Sequence, residues 1–102
     1  MRKAEPHTII LGPGSVGEGG GLTLPPSVPF LKTEALLQAA GPVFDAFCYH
    51  FYGAVSERCA ALGAGGTTPA AALSNDWLSR TDKVEAFYAA LRDRFEPGRP
   101  LW

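Results

Sequence analysis

The chain has 102 residues, 46% of them hydrophobic, with nine lysines and arginines against ten aspartates and glutamates. That is enough apolar material for one packed domain and too little length for two, and it argues against a disordered tail. The near-neutral charge, with basic residues scattered instead of clustered, argues against a nucleic-acid or anionic-membrane partner.

Met1-Arg2-Lys3 has the basic start of a signal peptide, but the only apolar run behind it, Ile9-Ile10-Leu11, is stopped by Gly12 and Pro13. Neither a signal peptide nor a membrane span is expected. The run from Thr8 to Gly12 is rich in β-branched residues and predicts a strand over 8–12.

A glycine-rich stretch, Gly12 to Gly21, follows. Gly12, Gly14 and Gly17 satisfy the pattern G-x-G-x-x-G directly after a strand, the position a dinucleotide fingerprint requires. Such a loop should open a helix whose N-terminus receives the phosphates. Here more glycines and then Leu22-Thr23-Leu24-Pro25-Pro26 follow, and Glu18 stands where a phosphate loop carries lysine. The stretch therefore reads as a flexible surface loop at a strand end, with nucleotide binding as a minor alternative.

Pro29 to Ala40 predicts a helix, with Pro29 in its first turn and Gly41-Pro42 as its stop. Residues 43–51 predict the central strand. Its alternation places Ala46, Cys48, His50 and Tyr52 on a small, polar-tipped face and Phe47, Tyr49 and Phe51 on a large apolar one. Asp45 is an acid on the bulky side, near the strand's start. Val55, Cys59 and Leu62 have helical spacing, and Ala64 to Ala72 reads as loop.

Val84, Phe87, Tyr88, Leu91 and Phe95 fall on one face of a helix predicted over 76–95, with Asp82 and Glu85 as a capping pair. Residues 100–102 then look like the start of another strand. Cys48 and Cys59 lack metal-ligand spacing. They read as two buried thiols, with a disulfide between them or to a residue outside the chain left open. No metal or organic cofactor is indicated.

The order strand, helix, strand, helix, strand start is that of βα units in a parallel sheet. The helix-to-strand links are short, whereas the strand-to-helix links are long and glycine-rich. Parallel α/β scaffolds build their sites on the latter side. The working face would then carry Gly12 to Gly21, His50 and Tyr52. A complete (β/α)₈ barrel takes roughly 250 residues, so the expected fold is α/β, a partial barrel of about two units plus the start of a third strand. The chain would be a piece of a larger protein.

Three segments, Ile9-Ile10-Leu11-Gly12-Pro13, Phe44 to Gly53 and Arg99-Pro100-Leu101-Trp102, resemble successive strand ends of the heparanase-like glycoside hydrolases of family 79. The resemblance spans nearly the whole chain. It implies the fifth, sixth and seventh strands of a retaining (β/α)₈ enzyme that cleaves β-glucuronide linkages in uronic-acid-containing glycans. It also implies that His50 and Tyr52 match a His-x-Tyr pair lining the sugar site, with Tyr52 supporting the nucleophile. The family's acid/base and nucleophile would lie before Met1 and after Trp102, so no catalytic residue is assigned within the chain. Members of the family are usually extracellular or lysosomal. The competing expectation is a non-enzymatic α/β interaction domain.

Overall fold

The computed structural model describes residues 3–20, 29–52 and 68–102. Its elements run in the order β1 (Leu11–Val16), α1 (Thr33–Ala40), β2 (Ala46–His50), α2 (Pro69–Ala72) and α3 (Asn75–Phe95). β1 pairs with β2 in parallel, and on the far side of β2 Leu101 bridges Phe47 in the same direction. Three bonds tie that segment to β2. The Phe47 N–H donates to the Pro100 carbonyl at 2.9 Å, the Trp102 N–H to Phe47 at 2.9 Å, and the Tyr49 N–H to Trp102 at 3.1 Å.

Alternation along β2 decides where the core lies. Phe47 is fully buried against Leu37 of α1 and Val84, Tyr88 and Leu91 of α3, with Phe44, Tyr49, Phe51, Phe95 and Leu101 around them. Burying each large side chain of this kind contributes roughly 1.5–3 kcal/mol. Both crossover helices therefore pack on the Phe47 side. Ala46, Cys48 and His50 point the other way. Cross-strand register sets Leu11 beside Ala46, Pro13 beside Cys48 and Val16 beside His50 on that second face. Trp102, one residue past the bridged Leu101, also turns there and is 66% exposed, and Leu11 is 48% exposed.

β1 begins three residues later than the predicted 8–12 and runs through Gly12-Pro13-Gly14-Ser15-Val16. The start of the glycine-rich stretch is thus strand, not loop. Pairing with β2 overrides its low strand propensity, and Gly12 is needed for a specific reason. A methyl at this position would lie 2.6 Å from Cδ1 of the Phe44 ring and 2.9 Å from Cζ, and closer still to Cε1. Gly14, at φ 70, takes up the register shift between Pro13 and Ser15.

β2 is also shorter than its predicted range of 43–51, and hydrogen bonding accounts for its late start. The N–H groups of Val43 and Phe44 both donate to Glu96 Oε1, at 2.7 and 3.1 Å, which takes them out of a strand ladder. Glu96 is the C-cap of α3 and is 1% exposed. Its Oε2 is buried with no hydrogen-bond partner among the described residues. Asp45 clips the two strands at their amino ends: its Oδ2 accepts the Ile10 N–H at 2.8 Å, and its own N–H donates to the Ile10 carbonyl at 2.8 Å.

The helices differ from expectation at their starts. α1 begins at Thr33, and Pro29 lies outside it. Pro69–Ala72, expected as loop, is a helix turn in which Thr68 Oγ1 accepts the Ala71 N–H and Pro69 takes a first-turn position. α3 starts at Asn75 behind Ser74, whose Oγ accepts the Trp77 N–H at 3.3 Å. Asp82 is therefore inside the helix and does not cap it. α3 spans about 31 Å at 1.5 Å per residue, whereas β2 spans about 17 Å. The buried residues of α3, Val84, Tyr88 and Leu91, all lie at or beyond its tenth residue. Cys48 is a free thiol. Cys59 and the expected Val55–Leu62 helix lie outside the described residues.

Two substitutions test this packing. Gly12→Ala should destabilise the fold by about 2 kcal/mol through overpacking, and Phe44→Leu in the same chain should recover part of the loss. Glu96→Ala should cost about 3 kcal/mol, since two hydrogen bonds to a charged acceptor disappear, with Glu96→Gln costing less. Urea midpoints at unchanged m-value measure both.

Candidate functional site

Two groups of polar side chains stand at the carboxyl end of the strands, on opposite faces of the sheet. The first is the sequence-predicted pair. His50 closes β2 on the second face and is exposed, and Tyr52, two residues on, is 60% exposed. Their rings are nearly parallel, at 14°, with centroids 6.3 Å apart, so the imidazole and phenol share one side of the chain. The backbone opposite is close: His50 Nε2 lies 3.9 Å from where a side chain on Gly14 would begin. The pair and the glycine-rich end of β1 therefore form one rim. Each ring offers an apolar face and a polar edge.

The second group was not recognised in the sequence. It is buried on the helix side and centres on Glu18. Glu18 Oε2 accepts the Thr33 N–H at 3.0 Å and the Thr33 hydroxyl. Thr33 Oγ1 also lies 2.6 Å from Ser15 Oγ, and the Glu18 N–H donates to the Tyr88 hydroxyl at 3.3 Å. Tyr88 in turn stacks on Tyr49, with centroids 4.8 Å apart and the planes at 25°. Burial pushes the Tyr88 phenol above its ordinary 10.0, with the hydrogen bond from Glu18 N–H opposing it and the Glu18 charge adding to it. Tyr49 is also raised, by burial first and then by the charge of Glu85.

This cluster bears directly on the nucleotide pattern. α1 has no side-chain cap of its own on Lys32, and Thr33 is its first residue. The carboxylate of Glu18 sits there instead, as the anion that a helix N-terminus attracts. The glycines of the pattern have backbone reasons as well: Gly12 makes room for Phe44, and Gly14 and Gly17 hold φ of 70 and 83. A phosphate would have to displace a buried, hydrogen-bonded carboxylate.

Five other acids of the described residues have structural work. Asp45 joins the strands and Glu96 holds the α1–β2 link. On the helix surfaces, Asp76 pairs with Arg80 at 2.9 Å, Asp93 with Arg92 at 2.7 Å and Glu34 with Arg94 at 2.5 Å. None of these carboxylates stands on the His50 face. Among the described residues no group of three or more His, Cys, Asp or Glu side chains could hold a metal ion, and no helix is long and apolar enough to cross a membrane. Compared with family models, curated proteins and solved structures, the chain matches none.

Titrating the chain with inorganic phosphate or ATP in a calorimeter should give only heats of dilution, and saturable binding would contradict the role assigned to Glu18. The raised tyrosines set an alkaline limit. Above pH 10.0 the unfolded chain sheds phenol protons that the folded chain still holds. Stability is therefore fully present below that pH and falls as pH rises through the folded values. Tyr88→Phe should flatten this decline while costing about 1 kcal/mol at neutral pH for the lost hydrogen bond. Urea unfolding on either side of pH 10.0 compares the two chains.

Proposed function

We propose that the chain forms part of the wall of a carbohydrate-hydrolysing α/β barrel, with His50 and Tyr52 lining the sugar site. The observation that carries this reading is one-sided winding. α1 and α3 both pack on the Phe47 face, and β1, β2 and the Leu101 segment lie side by side in chain order. A barrel keeps its helices outside and fills its interior with the other face. On this reading Leu11, Ala46, Pro13 and Cys48 point inward, and the polar rings stand at the carboxyl end of the strands, where barrel enzymes carry their chemistry.

The substrate class follows from the resemblance to heparanase-like hydrolases and agrees with the chemistry of the pair. A flat, half-exposed aromatic surface with hydrogen-bonding edges suits a sugar ring, which has C–H groups on its faces and hydroxyls around its rim. Retaining hydrolysis needs two carboxyl groups about 5–5.5 Å apart. By the same resemblance, acid/base and nucleophile are assigned to parts of the barrel outside this chain. The chain alone is a substrate-binding piece of such an enzyme and does not turn over.

A non-enzymatic interaction domain is the second reading, and the exposure of Leu11 and Trp102 on the second face favours it. Nucleotide binding is set aside because Glu18 fills the α1 N-terminus.

The two surviving readings separate in a titration with glucuronic acid followed by NMR. The sugar-site reading expects the His50 imidazole and Tyr52 ring signals to shift together, with His50→Ala abolishing the response at Tyr52. Unchanged signals at both residues would overturn it. An aryl β-glucuronide should not be cleaved above background, and turnover by the chain alone would contradict carboxylates supplied from outside.

A further inference from the structure

We draw no further inference here: the strongest candidate, the face of the parallel sheet that carries Leu11, Pro13, Cys48 and Trp102, belongs to the barrel wall already proposed, and nothing in the structure shows what else covers it.

Discussion

The architecture turns on Phe47. Its backbone takes part in pairings on both sides, with Gly12 in β1 and with the Leu101 segment, while its side chain is the point where α1 and α3 meet the sheet. A single residue thus joins three strands laterally and two helices vertically. Because adjacent side chains on a strand alternate, committing Phe47 to the helices also commits Ala46, Cys48 and His50 to the opposite side. The placement of the polar rim is a geometric result of where the largest central side chain is buried.

Two buried carboxylates then fix the loops around this centre. Glu18 reaches from the end of β1 to the start of α1, and Glu96 reaches from the end of α3 to the segment that leads into β2. Each supplies an acceptor to backbone N–H groups that neither helix nor strand can satisfy. Leaving such groups buried and unpaired costs about 1–3 kcal/mol apiece. Glu18 works at the carboxyl end of the sheet, behind the His50 rim, and Glu96 works at the amino end. The packing between them holds the strand order and the one-sided cover on which the sugar-site reading relies.

Local chemistry was legible in the sequence wherever it was also the whole cause. Of the predicted face of α3, Val84, Tyr88 and Leu91 are buried and Phe95 packs against them, whereas Phe87 is exposed, and strand alternation does describe the division of Phe47 and Tyr49 from Cys48 and His50. Distant partners were not legible. The strand character of Gly12 to Val16 depends on β2, the start of α1 depends on a carboxylate fifteen positions upstream, and the late start of β2 depends on Glu96, more than fifty positions downstream. Glu96 looked like part of a helix stop because its neighbours Pro97 and Gly98 do stop the helix. The capping role assigned to Asp82 went instead to Ser74, and the helix turn at Pro69–Ala72 was hidden by the glycine- and threonine-rich residues before it.

The uneven anchoring of α3 has an evolutionary consequence. From Val84 onward it is held by the shared core, so replacement of Val84, Tyr88 or Leu91 disturbs its packing on α1 and β2. The turns before Val84 rely on the Ser74 cap, the Asp76–Arg80 pair and the Arg80 guanidinium lying 4.2 Å over the Trp77 ring. These supports are short-range and interchangeable with other helix-forming combinations. Divergence among relatives of this chain should therefore accumulate in residues 75–83, where drift leaves the shared core intact.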